Sequence, residues 1–389
     1  MANRMFQSLG TTVFQVMSNL AASHDAINLG QGFPDEDGPE VLRKIAARAL
    51  VEGPNQYPPM PGLPTLREAV ADINRDFYGL DVDPQTQVLV TSGATEALAD
   101  CFFGLIEPGD EVVVIEPCYD SYLPIIRRAG GVVRTVAVGA PDWRLDPDLL
   151  RAAFSDKTKM LVINTPHNPT GKVFTTDELA MLADLCVAHN CYAVSDEVYE
   201  HLTFDGLTHT SLMSLPGMAE RTLRIGSAGK TFSFTGWKVG YITGPADLIT
   251  IVMKAHQYAT FTTPPALQIA VAHGLNHERT FFDGLAKDLE TKRDFFRAGL
   301  HDAGFQTLPC GGTYFINIDI SSIGYNETDE AFCRYITERA KVAAIPLSAF
   351  YRRGTDEADT LVRFCFSKQT EVLETSVERL KTCFGGGWV

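Results

Sequence analysis

The chain has 389 residues, of which 45% are hydrophobic and 21% are charged, and its formal net charge is −15 at pH 7. This composition is typical of a globular enzyme and excludes a disordered chain, while the length fits two domains, or one large α/β domain with a smaller partner. The negative charge argues against a protein that binds nucleic acid, because neutralising phosphates requires a basic surface.

The amino-terminal segment and the cysteines favour a cytoplasmic protein. Residues 1–20 lack the charged start and apolar block of a secretory signal, and no apolar run is long enough to cross a membrane. The eight cysteines form no C-x-x-C pair and show no zinc-site spacing with histidines. We therefore expect reduced thiols, no bound metal and no membrane association.

The first half of the chain predicts a layered α/β domain. Region 30–62 is rich in Gly and Pro and predicts surface loops that carry sites or reach a neighbouring subunit. From residue 87 onward, short β-branched runs alternate with helical patterns. The predicted strands are 87–91, 111–116, 131–136, 160–164 and 191–195. Because these strands are continuously apolar, they predict a mostly parallel sheet with helices on both faces.

Two further patterns define the later elements. Thr175 and Glu178 have the spacing of a capping box in front of a predicted helix at 179–189. After about residue 274 the pattern changes to long polar helices at 278–303, strands around 312–318 and 360–366, and a final helix. This change predicts a separate α+β domain.

Polar segments follow several of the predicted strands, at the sheet edge where α/β proteins bind ligands. Segment 91–96 offers free backbone N–H groups to a phosphate, although a simple Ser/Thr-capped helix start also explains it. Tyr119 suits stacking on a planar heterocycle, but most such residues only contribute to packing. Asn168 lies in a rigid turn and suits a hydrogen bond to a ligand hydroxyl, or forms an ordinary surface turn.

Asp196 and Lys230 point to one cofactor, pyridoxal phosphate. A carboxylate at the end of a core strand is costly to bury unless a cation compensates it, and a protonated pyridine ring is such a cation. Lys230 follows small, uncharged residues that allow a flat aldehyde to approach its amine. The alternatives are a helix N-cap for Asp196 and a surface position for Lys230. No P-loop or well-placed G-x-G-x-x-G motif supports ATP or NAD.

With these residues the sequence resembles the fold type I pyridoxal-phosphate enzymes, specifically the class I/II aminotransferases, over nearly all of its length. It is similar to the methionine aminotransferase and kynurenine/glutamine transaminase branch. The segments that carry this resemblance are NLGQGFPD (28–35), NQY (55–57), NTPHNPTG (164–171), SDEVYEH (195–201) and GKTFSFTGWKVGY (229–241). The resemblance implies an aspartate aminotransferase-like fold. A large cofactor domain at 45–282 would contain a seven-stranded type of sheet, and residues 1–44 with 283–389 would form an amino-terminal arm and the small domain.

The resemblance also implies roles for individual residues. Lys230, Asp196 and Tyr199 would be catalytic, with Lys230 as the covalent attachment point and Asp196 as the partner of the ring nitrogen. Tyr199 and Asn168 would contact the ring hydroxyl, and Tyr119 would stack on the ring. The phosphate would be held by Gly93, Ala94, Thr95, Ser227, Lys238 and, from the partner subunit, Tyr57. Lys238 replaces the Arg of many relatives, which weakens the expectation of a two-pronged contact.

The substrate contacts follow in the same way. Arg363, flanked by apolar residues, would bind the substrate α-carboxylate together with the Gly32 backbone, unless it forms an internal salt bridge. The side-chain pocket would be formed by Phe14, Tyr57, Phe261 and Phe350, with Phe261 and Thr262 coming from the partner subunit, and Asn168 would also bind the substrate.

The expected function is transfer of the amino group of Met, Phe, Tyr, Leu, kynurenine or Gln to a 2-oxo acid, by a ping-pong mechanism in a homodimer with shared sites. No second Arg is clearly placed for a dicarboxylate, although Arg352 and Arg353 lie near the expected site. A carbon–sulfur β-lyase on the same scaffold is the first alternative. A cofactor-sensing regulator is the second, and it would require a basic helix-turn-helix extension.

Overall fold

The structure, a computed structural model, describes residues 3–7, 9–352 and 358–384. Its helices are α1 (Arg4–Gln7), α2 (Val13–Ser23), α3 (Glu40–Glu52), α4 (Pro64–Tyr78), α5 (Ala94–Leu105), α6 (Tyr122–Ala129), α7 (Pro147–Ala153), α8 (Thr176–Ala188), α9 (Ala228–Thr231), α10 (Ala246–Ala259), α11 (Pro265–His277), α12 (Thr280–Asp302), α13 (Asp329–Arg339) and α14 (Thr370–Phe384). Its strands are β1 (Ile27–Asn28), β2 (Val88–Thr91), β3 (Glu111–Glu116), β4 (Val132–Gly139), β5 (Arg144–Leu145), β6 (Thr158–Asn164), β7 (Tyr192–Asp196), β8 (Thr222–Ser227), β9 (Gly240–Thr243), β10 (Gln306–Thr307), β11 (Phe315–Asp319), β12 (Val342–Ala343), β13 (Ile345–Pro346) and β14 (Leu361–Cys365).

The main sheet has eight strands in the order β2-β9-β8-β7-β6-β3-β4-β5. Strands β8, β7, β6, β3 and β4 are parallel neighbours, and β9 runs antiparallel to both β8 and β2. Because β9 is antiparallel to both β8 and β2, β2 runs in the same direction as β8 and the other parallel strands. The carboxyl ends of β2, β3, β6, β7 and β8 therefore meet at one edge of the sheet.

The predicted sheet is confirmed with two corrections. All five predicted strands form, but β8 and β9 were missed, and the sheet has eight strands rather than seven because the two-residue β5 pairs antiparallel with the end of β4. Helices cover both faces. On β2, Val88 and Val90 join one apolar cluster while Leu89 joins the other, as expected from the alternation of side chains along a strand.

The prediction that region 30–62 forms only loops is wrong, because α3 occupies Glu40–Glu52. Its sequence EVLRKIAARALVE is rich in good helix formers, and Leu42 and Ala46 form its buried face against α11. The Gly and Pro residues that suggested loops lie on both sides of this helix.

The predicted α+β region near the carboxyl terminus also forms. Strands β10, β11, β14 and β13 make a four-stranded antiparallel sheet, and β1 pairs with β12 in a separate parallel ladder. Helix α12 contacts α14 and β10. The predicted domain limits at 44/45 and 282/283 fall inside α3 and α12, so the division of the chain stays a prediction.

Three smaller expectations can be compared with the structure. The Thr175 hydroxyl accepts the Glu178 N–H at 3.2 Å, and the Glu178 carboxylate accepts the Thr175 N–H at 3.0 Å, which confirms the capping box. All eight cysteines are free thiols, and seven are buried. Within the described ranges, no helix combines the length and apolar composition that a bilayer crossing requires.

Candidate active site

The four segments predicted to follow strand ends meet in one cavity of about 530 Å³ at the carboxyl edge of the main sheet. Most of the predicted site residues line it. These are Phe14, Gly32, Gly93, Ala94, Thr95, Tyr119, Asn168, Asp196, Tyr199, Ser227, Lys230, Lys238 and Arg363. The cavity thus brings an amine, a carboxylate, a guanidinium and a helix amino terminus together.

Lys230 lies on the short helix α9, which starts directly after β8. Its Nζ donates a hydrogen bond to the Tyr314 hydroxyl at 2.8 Å, and that hydroxyl donates to the Gly32 carbonyl at 2.9 Å. Burial lowers the pKa of Lys230 to about 8, because enclosure disfavours the charged form. Lys230 is therefore not an ordinary surface lysine, and a fraction of its amine is neutral near neutral pH.

Asp196 is the last residue of β7 and is buried. Its Oδ2 accepts a hydrogen bond from the Tyr122 hydroxyl at 2.5 Å, and its Oδ1 accepts the Val198 N–H at 3.4 Å. Burial raises the pKa of Asp196 to about 6, although the hydrogen bond from Tyr122 opposes the shift. No helix begins here, so the N-cap alternative fails. Across the described residues no cation lies within ion-pair distance of this carboxylate, so it fits a ligand that brings a positive charge.

Asn164 connects Asp196 to the turn that carries Asn168. Its Nδ2 donates to the Asp196 carbonyl at 2.8 Å, and its Oδ1 accepts the Asn168 N–H at 2.7 Å. The Asn168 side-chain oxygen in turn accepts a hydrogen bond from Arg363 at 2.7 Å. These contacts fix the Asn168 amide inside the cavity rather than on the surface.

Arg363 lies on β14 and is only 1% exposed. Its second terminal nitrogen donates to the Gly30 carbonyl at 2.9 Å, and the rings of Phe14, Phe315 and Phe350 lie 5.5, 4.0 and 4.7 Å from the guanidinium carbon. Burial lowers the pKa of Arg363 to about 10, so it stays charged at neutral pH. The predicted alternative of an internal salt bridge is absent among the described residues. An enclosed guanidinium without a carboxylate partner fits an anionic ligand.

The opposite end of the cavity suits a phosphate. Gly93 is the N-cap of the 12-residue helix α5, has φ +88°, and carries no side-chain cap, so the first N–H groups of the helix remain available to an anion. Lys238 adopts the left-handed conformation with φ +54°. A Cβ on Gly93 would lie only 3.2 Å from Lys238 Nζ, which shows that the ammonium group lies against this helix end.

Four predicted residues lie outside this set: Phe350, Tyr57, Phe261 and Thr262. Phe350 is buried behind the cavity, with its ring centroid 5.5 Å from that of Phe14. Tyr57 and Phe261 are 81% and 40% exposed and form an edge-to-face pair at 5.3 Å. Neither lines the cavity of its own chain, so the roles predicted for Tyr57 and Phe261 depend on a second subunit.

Arg352, one of the two arginines expected near the substrate pocket, does not line the described cavity. Arg352 is exposed, and its backbone N–H donates to Glu116 at 2.7 Å. Arg353 lies outside the described residues.

The sequence analysis missed Tyr122, Tyr314 and Asn164, each of which contacts Lys230 or Asp196. Asn164 is the last residue of β6, so its place at a strand end was a usable signal. Tyr314 directly precedes β11, and only the fold brings it to Lys230.

Comparison with known proteins identifies the chain's relatives. The family model "Aminotransferase class I and II" matches residues 24–380. A probable N-succinyldiaminopimelate aminotransferase DapC of Mycobacterium tuberculosis is 47% identical over 380 residues, covering 95% of each chain. A kynurenine–oxoglutarate transaminase 3 of Mus musculus is 38% identical, covering 96% of this chain and 88% of the relative. The crystal structure of an Escherichia coli protein with methionine aminotransferase function superposes with a TM-score of 0.95 at 40% identity, covering 98% of this chain and 99% of the other.

Proposed function

Because the chain belongs to the class I and II aminotransferases, which depend on pyridoxal phosphate, we propose that it moves the amino group of a large apolar or aromatic amino acid to a 2-oxo acid by a ping-pong mechanism. The preferred donors in this proposal are Met, Phe, Tyr, Leu, kynurenine and Gln. A homodimer with shared active sites and a cytoplasmic location belong to the same proposal.

The surroundings of Arg363 support this substrate class. Among the described residues of the cavity it is the single guanidinium, and three phenylalanine rings enclose it. This arrangement provides for one carboxylate next to an apolar side chain. Asp120 also lines the cavity without an ion-pair partner among the described residues, so its carboxylate disfavours a substrate with a second negative charge.

The remaining residues fit the cofactor. Bound pyridoxal phosphate supplies an aldehyde that links to amines and a protonated ring that withdraws electrons from the substrate α-carbon. Asp196 would hold the proton on the ring nitrogen, and Tyr122 would keep that carboxylate oriented. Gly93, Ala94, Thr95, Ser227 and Lys238 would hold the phosphate.

Lys230 is the proposed acid and base. Its lowered pKa provides a neutral amine that can accept the proton from the substrate α-carbon at Nζ. The hydrogen bond from Nζ to the Tyr314 hydroxyl directs the amine across the cavity. Arg363, by holding the substrate carboxylate, would orient the α-proton toward this amine.

The central experiment replaces Lys230 with Ala in the cofactor-loaded protein. We expect loss of the visible absorbance of the covalently attached cofactor and a fall in turnover of at least about 10⁴-fold, because both the attachment point and the base are removed. Lys287→Ala, at an exposed position of α12, is the matched control and should behave like the wild type. A Lys230→Ala protein with normal exchange rates would refute the assignment.

A substrate screen tests the finer proposal. Met, Phe, Leu, kynurenine and Gln should each give a kcat/KM at least about 10-fold above those of Asp and N-succinyldiaminopimelate, since the described cavity offers one guanidinium. Preference for N-succinyldiaminopimelate would overturn the substrate class but not the cofactor chemistry. Release of pyruvate and ammonia from a cysteine conjugate without any oxo acid would instead favour the β-lyase alternative.

A further inference from the structure

We propose that Glu96 and His256 form a positioning pair, which holds the phosphate end of the cavity and the two segments carrying Tyr57 and Phe261 in one fixed arrangement. The cofactor contacts of one subunit and the aromatic residues that this subunit offers to the other would thus be set together. The inference rests on the proposed function and on the proposed exchange of these aromatic residues between subunits.

The first half of the pair fixes the phosphate loop. Glu96 lies in the first turn of α5, and its Oε2 accepts the backbone N–H of Ser92. This contact satisfies the N–H of Ser92, while the Gly93 N–H donates to the Thr91 carbonyl at 2.8 Å, so the free N–H groups of this segment are those of the first turn of α5. Ser92 is also joined to Thr263 by a 3.2 Å contact between their hydroxyls.

The second half of the pair fixes the exposed segments. His256 is fully buried, with Nδ1 at 2.9 Å from Glu96 Oε1 and Nε2 at 3.2 Å from the Met60 carbonyl. Met60 is three residues beyond Tyr57. Thr260 donates its hydroxyl proton to the same Oε1 of Glu96, and it directly precedes Phe261.

Phe261 depends on this anchoring for its backbone. It adopts a left-handed conformation with φ +69°, which is strained for a bulky residue. Its N–H donates to the His256 carbonyl at 3.0 Å. The strained turn is thus tied to the pair by two groups that precede it, the Thr260 hydroxyl and the end of α10.

The charges of the pair favour an ionic contact. Both ring nitrogens of His256 face oxygen acceptors, so the ring can satisfy both only as a doubly protonated imidazolium. Burial alone would lower the pKa of His256, but the hydrogen bond and charge of Glu96 outweigh it and the pKa lies above its usual value. Burial would raise the pKa of Glu96, yet its hydrogen bonds, led by that from His256, hold it below its usual value.

Asp100 is a third acidic or basic residue next to the pair. It lies 3.8 Å from His256 Nδ1 and makes no hydrogen bond through either carboxylate oxygen. Glu96, Asp100 and His256 are close enough to be considered as metal ligands. The two Glu96 oxygens, however, already accept three hydrogen bonds, which favours a proton over a metal ion between Glu96 and His256.

The first test uses homodimers and the release of pyridoxal phosphate, followed by absorbance. We expect His256→Gln and Glu96→Gln to speed release about 10-fold, because the loop that offers N–H groups to the phosphate loses its anchor. Asp100→Asn, a neighbour without a hydrogen bond to the pair, is the matched control and should release the cofactor at the wild-type rate. Thr260→Val, a small change at an exposed position, should act in the same direction by about 2- to 3-fold even if the His256 variant folds poorly. Unchanged release in all three pair variants would overturn the proposal, and so would a loss of anchoring reproduced by a chelator.

The second test separates the two halves of the proposal with mixed dimers. One dimer joins a wild-type subunit to a Lys230→Ala subunit, and the other joins it to a Lys230→Ala, His256→Gln subunit. In each mixed dimer only the active site of the wild-type subunit is functional. The two dimers differ only in the Tyr57 and Phe261 segments that the other subunit contributes to this site. We expect the KM for Phe or Met to be about 5-fold higher in the second dimer with little change in kcat.

Equal KM values in the two dimers, or a monomeric protein at working concentration, would overturn the link between subunits. If the wild type failed to transaminate apolar donors at all, the proposed function would fall. The cofactor-release experiment would still decide the role of the pair.

Discussion

Two buried arginines on neighbouring regions of the fold differ in what compensates their charge. Arg224, on β8, is fully buried, with Nε at 2.7 Å from Glu197 and another nitrogen bonded to Glu200. Glu197 also accepts hydrogen bonds from Ser195 at 2.8 Å and faces His209 at 2.9 Å. Arg363 is equally buried but contacts only neutral oxygens and aromatic rings.

This difference indicates what each region is for. A buried charge is tolerated when a counter-charge and hydrogen bonds replace water. Around Arg224 the protein supplies its own carboxylates, so the cation is paired within the protein and has no need of a ligand. Around Arg363 no carboxylate of the described residues lies within ion-pair distance, although Asp120 lines the same cavity, so the guanidinium is open to an anionic ligand. Asp196 likewise has no ion-pair partner among the described residues, and its negative charge would be compensated by a positively charged group of a ligand.

The largest expected effect is a loss of stability when Arg224 is replaced. Arg224→Met leaves Glu197 and Glu200 buried without their cation, and we expect the apoprotein to lose about 3–5 kcal/mol of unfolding free energy in urea. Arg363→Met strands no carboxylate and should remain within about 1 kcal/mol of the wild type. Comparable losses in the two variants would show that the distinction between the regions is wrong.

Catalytic activity, in contrast to stability, should depend strongly on Arg363. Arg363→Gln is expected to reduce kcat/KM for Phe or Met by about 10² to 10³-fold, because a buried charge-assisted contact to the substrate is lost. Arg363→Lys keeps the charge but not the two-pronged geometry, and it should fall between the wild type and the Gln variant. The absorbance of the bound cofactor should be the same in all three proteins. A Gln variant with wild-type kcat/KM would place the substrate carboxylate elsewhere.

Some parts of the active site could be predicted from the sequence, and others could not. Asp196, Asn168 and Tyr119 follow the ends of predicted strands, and parallel strands bring their carboxyl ends to one edge, so local patterns were enough to group them. Lys230 follows β8, which was not predicted, and the small residues before it were its only local signal. The fold class followed from the same alternation of apolar strands and helices.

Other parts of the site depend on contacts between distant segments. Tyr314 donates to the Gly32 carbonyl across 282 positions of the chain, and Arg224 meets Glu197 and Glu200 only because β7 and β8 are neighbours. Helix α3 was hidden by the Gly and Pro residues around it. Tyr57 and Phe261 pair with each other on the surface, and the resemblance to a family, rather than any local pattern, suggested their roles.

Asp100 sharpens the comparison because it is buried without a hydrogen bond, 3.8 Å from His256, and does not line the cavity. Both of its oxygens lack hydrogen bonds, and burial raises its pKa to about 8, so the folded protein keeps it neutral instead of leaving a charge for a ligand. The unfolded chain releases this proton above about pH 4, so the folded state binds more protons and loses stability as the pH rises from about 4 to 8.

The Asp100→Asn side chain cannot lose a proton, so this variant should not show that decline in stability. In urea unfolding of the apoprotein, the variant should gain about 3 to 4 kcal/mol relative to the wild type between pH 5 and pH 8. If the wild type and the variant had parallel pH profiles, Asp100 would be ionised in the folded protein and would have a counter-charge. The absence of hydrogen bonds would then not distinguish a neutral buried acid such as Asp100 from a charged group that binds a ligand.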